Sequence, residues 1–233
     1  MQGHRGGPRD GRGAVRARPP CLPARPRASA HSGCRLPLLR SVDEIIELAA
    51  DADVSFLVIG DAFGATTHTD LMLRAQAQGV EVSVVHNASI MNAIGCCGLQ
   101  LYNYGQAVSI CFFRGPGTFW PDEAAWRPDS FYEKVQANRR LGLHTLCLLD
   151  IKVKEPNMEQ LARGRKVWEE PRYMSVNTCI EQMLAVEAER RAAGGGGAYD
   201  EDTIVVGLAK VGCAGQTILS GTMKQVCSTD LRH

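Results

Sequence analysis

The sequence predicts an α/β fold, and three observations carry that prediction. Short apolar runs of strand length alternate with helix-period segments from residue 41 onward. Glycines and capping residues fall at the junctions between those segments. The composition, 45% hydrophobic and 22% charged, is that of an ordinary globular chain and excludes full-length disorder. A chain of 233 residues has room for one large domain or two small ones. It holds no apolar stretch of the roughly 18 residues that a membrane span requires, so a membrane-spanning role is not expected.

The elements follow in order. Ser41-Val42-Asp43-Glu44 reads as a capping box ahead of Ile45, Ile46 and Leu48, so a helix is expected to start there. Val54 to Ile59 reads as a buried strand that stops at Gly60. Residues 60–64 form a loop, Thr69-Asp70 opens a helix carrying Leu71, Leu73 and Ala75, and Gly79 ends it. Val80 to Val85 is the next expected strand, and Ala88-Ser89 caps a short helix through Ile90, Ala93 and Ile94. Strand, helix, strand and helix at this spacing imply a largely parallel sheet.

A second unit repeats the alternation. Ala107 to Phe113 reads as a strand, followed by a Gly- and Pro-containing loop over residues 114–125. Pro128-Asp129 starts a helix to Leu141, ended by Gly142, and Thr145 to Leu149 is a strand closing at Asp150. Asn157 to Arg163 reads as helical. Ser175 caps a longer helix with Ile180, Met183 and Leu184, and Gly194 to Gly197 reads as a flexible linker. Thr203 to Val211 and Thr222 to Cys227 read as strands. The expected organisation is a leader over residues 1–40, one α/β domain over 41–105 and a second over 106–233.

Charge is uneven. The formal net charge is +1, which argues against general nucleic-acid binding. Residues 1–40 nevertheless hold nine Arg, no Lys and one Asp, so the remaining 193 residues carry a net −7. The same segment holds six of the eleven Pro and lacks an apolar period, which is the composition of a disordered leader. It has no apolar core of a secretory signal, and its prolines oppose the amphipathic helix of a mitochondrial transit peptide. An RNA-binding arm shares its charge pattern. The nine cysteines form no Cys-x-x-Cys pair, so a zinc ribbon or a thioredoxin motif is not available. An odd number of cysteines in apolar settings suits a reducing, cytoplasmic compartment.

Ligands of open α/β sheets bind beyond the carboxyl ends of strands. The loops there are Gly60 to His68, His86 to Ser89 and Asp150 to Lys152. Asp61 ends a strand near two glycines, where its carboxylate can face a cationic ligand; the same position equally suits a turn cap. Neither Gly60-x3-Gly64 nor Gly207-x4-Gly212 is a Walker loop, because no Gly-Lys-Ser/Thr follows. His68, His86 and His144 lack the i, i+4 spacing of a helical metal pair and read as three separately satisfied histidines, so no metal site is expected. Trp120, Trp126 and Trp168 read as packing or partner-facing residues.

Several blocks in fixed order carry a family resemblance. They are Gly60-Asp61-Ala62-Phe63-Gly64-Ala65-Thr66-Thr67-His68, the run from His86-Asn87-Ala88-Ser89-Ile90 to Leu101-Tyr102, Trp126-Arg127-Pro128, and His144 to Glu155. Pro171-Arg172-Tyr173-Met174-Ser175-Val176-Asn177 and Val206 to Gly212 complete the set. Together they resemble the diphthine methyl ester synthases, S-adenosylmethionine-dependent methyltransferases of the tetrapyrrole-methylase type, over roughly residues 41–231.

The resemblance implies two α/β domains with the cofactor in a cleft between them. It implies methyl transfer from S-adenosylmethionine to a modified histidine of translation elongation factor 2: the side chain's amine is trimethylated and its carboxylate esterified, on the route to diphthamide. Cofactor contacts map by motif onto Asp61, Gly64, Ser89, Ile90, Leu149 and Val211. Ser89 and Ile90 open a short helix, where amides can hold a carboxylate. A homodimer is implied, and no membrane or nucleic-acid partner. In-line attack on a sulfonium methyl by a carboxylate or amine calls mainly for alignment and exclusion of water, and no catalytic base is assigned. Family members begin with a strand and a G-x-G-x-G-D loop, where this chain has Arg/Pro-rich sequence, and they continue into a closing strand beyond His233. The 114–125 loop is longer than usual, and Ala62 stands where Pro is usual. These departures set the expectation of a form shortened at both ends. Its alternative role is an inactive relative that only binds elongation factor 2 or a pathway partner.

Overall fold

A computed structural model describes residues 38–121, 123–153 and 155–229. The leader expected over residues 1–40 therefore lies outside the described residues except for Leu38 to Arg40, which open the first helix. The chain divides into two compact units, one ending at His86 and the other starting at Asn87.

The first unit holds α1 (Leu38–Asp51) and α2 (His68–Ala77). Ser41 lies inside α1 rather than at its N-cap, because the helix starts three residues earlier. Ile46 of α1 and Ala75 of α2 are the buried apolar side chains among its described residues. Arg74 pairs with Asp43 of α1 and, at 3.6 Å, with Asp70 one turn earlier on its own helix. The strands expected at Val54–Ile59 and Val80–Val85 carry no ladder among the described residues. A strand is held by a neighbour that takes its backbone groups, and neither run has one among the described residues. Leu57, Ile59 and Val85 accordingly stand exposed.

The second unit is built on a parallel pair, β1 (Val108–Ile110) and β2 (Cys147–Leu149), joined through α4 (Tyr132–Arg140). This is the strand–helix–strand crossover that the sequence pattern implies. Gly105 precedes β1 because the Asn138 amide crosses its backbone so closely that a Cβ there would meet Oδ1 at 2.2 Å. Asn138 accepts from the Gln106 amide at 3.0 Å and donates to Gln106 O and Thr145 Oγ1, both at 2.9 Å, tying α4 to the chain before each strand.

The other strands pair antiparallel, so among the described residues three separate two-stranded sheets stand where one largely parallel sheet was expected. β3 (Ile151–Lys152) pairs with β4 (Arg172–Tyr173), and α5 (Met158–Ala162) lies between them in sequence. β5 (Ile204–Ala209) pairs with β6 (Thr217–Thr222). The run Thr222 to Cys227, expected as a strand, is instead the helix α7 (Met223–Cys227). Thr222 and Gln225 form a complete capping box that starts it, and Met223 and Val226 then share one buried face. The short helix α3 (Ile90–Ala93) begins the unit.

The core gathers Val108 and Ile110 from β1, Phe112 just beyond it, Tyr132 and Val135 from α4, and Ile180, Met183 and Val186 from α6 (Val176–Ala192). Ser175 caps α6 as expected, accepting from the Thr178 amide at 3.1 Å. The glycines after α6 do not behave as a free linker. Gly197 N donates to Glu187 Oε1 at 2.6 Å, and Ala198 N reaches Glu187 Oε2 at 3.3 Å and Tyr132 Oη at 3.2 Å. Tyr132 donates to the same Glu187 carboxylate at 2.6 Å, and Arg191 pairs with it from the next turn. Burial alone would raise the pKa of Glu187, but these hydrogen bonds outweigh it and hold the carboxyl down at about 2.

Candidate functional site

The loop after residue 59 is a tight turn. Gly60 takes φ +81°, a left-handed conformation that side chains resist, and so aims the chain into Asp61. Asp61 Oδ1 accepts from the Phe63 amide at 2.8 Å, and the Gly64 amide donates to the Asp61 carbonyl at 3.2 Å. Asp61 Oδ2 accepts from His86 Nδ1 at 3.0 Å. The Asp61 side chain is 13% exposed and that of His86 73%. Asp61 therefore caps the turn and is oriented by a histidine. A carboxylate offers about four lone-pair sites, so capping and ligand binding are compatible roles.

Each histidine of the trio has its own partner. His68 Nδ1 donates to the Ala62 carbonyl at 2.8 Å, His86 pairs with Asp61, and His144 meets the Tyr104 ring edge-on at 5.5 Å. Among the described residues no three His, Cys, Asp or Glu side chains cluster as metal ligands.

In the second unit Ser89 is the N-cap of α3, its Oγ accepting from the Met91 amide at 3.2 Å. The first amides of such a helix have no intrahelical acceptor, which is what a ligand carboxylate requires. Leu149 ends β2 opposite Ile110 and packs half-buried against the core. Val211 lies in the turn after β5, closed by the Cys213 amide on Lys210 O at 3.0 Å. Asp61 and Gly64 thus share one turn, Ser89 and Ile90 share one helix start, and Leu149 and Val211 sit on separate elements.

Two non-glycine residues among those described take a left-handed φ: Ala65 at +54° and Lys210 at +54°. One follows Gly64 and the other precedes Val211. Conformations of this kind cost of order 1–3 kcal/mol and gather at ligand-binding positions. Nothing in residue type marked these two positions.

Beyond β2, Asp150 Oδ2 accepts from the Phe112 amide at 3.1 Å and lies 3.5 Å from Lys152 Nζ. A network of ion pairs and aromatic rings continues from there through Glu155, Arg114, Trp120 and Arg172; the sequence marked the Asp150 to Lys152 loop, Trp120 as packing or partner-facing and the 114–125 loop, but not their meeting. Two of the thiols, Cys147 and Cys179, are packed away from solvent. Burial pushes Cys147 up to about 12 and Cys179 well above its ordinary value.

Comparisons with known proteins bear on this arrangement. A model of the tetrapyrrole (corrin/porphyrin) methylases matches residues 23–227. The chain is 59% identical over 188 residues to the Arabidopsis thaliana protein named probable diphthine methyl ester synthase, covering 80% of this chain and 63% of that one. It is 53% identical over 192 residues to the human diphthine methyl ester synthase, covering 82% of this chain and 64% of that one. A solved Entamoeba histolytica chain with a diphthine synthase designation is 50% identical, with TM-score 0.65, covering 82% of this chain and 66% of that one. The chain thus spans a little under two thirds of the length of these relatives.

Proposed function

The chain belongs to the tetrapyrrole (corrin/porphyrin) methylase family, and on that footing we propose that it is an S-adenosylmethionine-dependent methyltransferase that makes diphthine methyl ester on a modified histidine of elongation factor 2. The observation that carries the reading is the 59% identity over 188 residues to a protein named for this activity. Residues 41–105 would belong to its first domain and 106–233 to its second, acting in the cytoplasm, with two copies forming a dimer. Among the described residues no helix is long and apolar enough to cross a membrane.

The residues present suit such a cofactor. Asp61, held by Phe63 N and His86, offers an oriented carboxylate. Ser89 and Ile90 offer amides at a helix start, and Leu149 and Val211 offer apolar side chains. Gly64 and the strained residues Ala65 and Lys210 fix the loop paths. S-adenosylmethionine would supply an electrophilic methyl group on a sulfonium. The substrate carboxylate is already ionised at neutral pH and needs no base. What remains for the chain is to orient the acceptor in line and keep water out.

The test is transfer of tritiated methyl from S-adenosylmethionine to elongation factor 2. Label is expected on factor carrying the precursor side chain and not on unmodified factor. Absence of label on both, with cofactor bound, would show that the chain is not this enzyme.

A further inference from the structure

We propose that a cleft within the second unit, walled by Trp120 and opening between Arg114 and Glu155, binds the acceptor side chain through its ammonium and carboxylate together. This rests on the proposed function, which supplies an acceptor that carries both groups. The cleft has a volume of about 480 Å³, within the range of sites for small ligands. Three separate segments line it, contributing among others Trp120 and Glu123, Glu155 and Asn157, and Glu169 and Arg172.

Its chemistry is unusually even-handed. The guanidinium groups of Arg114 and Arg172 both stand against the Trp120 ring, at 5.1 and 5.3 Å from its centroid. Arg172 is held by Glu169 at 3.1 Å, and Glu169 is held in turn by Asn157 Nδ2 at 2.6 Å. Arg114 Nη1 binds Glu123 at 2.7 Å. Those pairs are tight. Glu155, by contrast, is held loosely, with Arg114 Nη2 at 3.5 Å and Lys152 Nζ at 3.8 Å.

A loose ion pair beside an aromatic wall is where a zwitterion fits. The ligand carboxylate takes the Arg114 Nη2 face and the ligand ammonium takes Glu155, replacing one stretched pair by two charge-assisted hydrogen bonds. The imidazole that bears the group can lie against Trp120 or Phe119, which meet edge to face at 6.1 Å. A purely anionic ligand would meet Glu123, Glu155 and Glu169, and a purely cationic one Arg114 and Arg172, so both are disfavoured.

The cleft also connects to the candidate cofactor residues of its own unit. Asp150 follows Leu149 directly, Lys152 Nζ lies 3.5 Å from Asp150 Oδ2, and the same ammonium reaches Glu155 at 3.8 Å. A continuous chain of ions therefore runs from the end of β2 into the cleft, the place where open α/β sheets take their ligands.

The experiment compares Glu155→Gln and Arg114→Gln with the unaltered chain. Each is titrated against elongation factor 2 carrying the unmethylated precursor side chain, against unmodified factor and against S-adenosylmethionine, with thermal melting as a fold check. The expected result is at least a tenfold loss of affinity for the precursor-bearing factor, with affinity for the cofactor and for unmodified factor unchanged. Wild-type affinity for the precursor-bearing factor in both variants would overturn the assignment, and so would an equal loss on both forms of the factor. An unaltered chain that binds the cofactor and methylates the factor while both variants do the same with unchanged KM would leave the enzyme reading standing and sink the cleft alone. An unaltered chain that binds neither the factor nor the cofactor would sink both.

Discussion

At the scale of single residues, Asp61 is the position on which sequence and geometry converge. Its carboxylate is fixed by the Phe63 amide and by His86. Asp61→Ala is expected to weaken S-adenosylmethionine binding tenfold to a hundredfold, the equivalent of about 1.5–3 kcal/mol for one charge-assisted hydrogen bond. Calorimetry with a melting check measures it, and unchanged affinity in a folded variant would refute the role. His86→Ala should lower affinity by a smaller factor, because it orients Asp61 from a largely exposed position. The thiols give an independent check on burial. Iodoacetamide should label Cys96 and Cys213, both exposed, well before the buried Cys179 or the Cys147 thiol that burial pushes up to about 12. Early labelling of Cys179 in the folded chain would contradict the packing of α6. The candidate residues proposed for the site were legible where a motif spells them, as at Asp61 and Ser89. Their partners were not, because His86 lies 25 residues from Asp61 and Glu155 lies 41 from Arg114. Only folding reveals such pairs.

At the scale of elements, α6 and the glycines after it act together. Glu187 is 4% exposed in its side chain and takes hydrogen bonds from Tyr132, Arg191, Gly197 and Ala198. Glu187→Ala is expected to destabilise by about 3 kcal/mol, since it leaves buried donors unmatched. The pH dependence has a definite sign. The folded carboxyl titrates at about 2 against an ordinary 4.5, so its stabilisation is fully present above 4.5 and is lost as pH falls toward 2. The gap in unfolding free energy between the unaltered chain and Glu187→Gln should therefore be constant from pH 5 to 7 and narrow below about 4.5. A gap that widened on acidification would contradict the assignment. Helices with their caps in sequence were readable: Ser175 before α6 and Ser89 before α3 accept amides of the first turn as expected, and Asn157, read as the first helical residue, is the cap of α5. The α7 capping box, Thr222 to Gln225, was equally explicit, but the short apolar run around it suits a strand as well. The expected strands at Val54–Ile59 and Val80–Val85 show the opposite failure. Apolar pattern marks a segment fit for a sheet, and pairing depends on a neighbour that no local pattern records.

For the molecule as a whole, the α/β class followed from alternation, and the strand–helix–strand crossover through α4 bears it out. The antiparallel pairs β3–β4 and β5–β6 did not follow, because local sequence leaves strand direction undetermined. The activity proposed for the chain is methyl transfer to both an amine and a carboxylate of one modified histidine. Mass spectrometry of the elongation factor 2 peptide that bears the precursor, after incubation with the chain and S-adenosylmethionine, tests it most directly, because the two kinds of methyl differ chemically. A methyl ester is cleaved by mild alkali and a quaternary ammonium is not. The predicted result is a peptide gaining several methyl groups, one of which mild alkali removes while the others remain. A peptide that gains no methyl, or gains only alkali-stable ones, would contradict it.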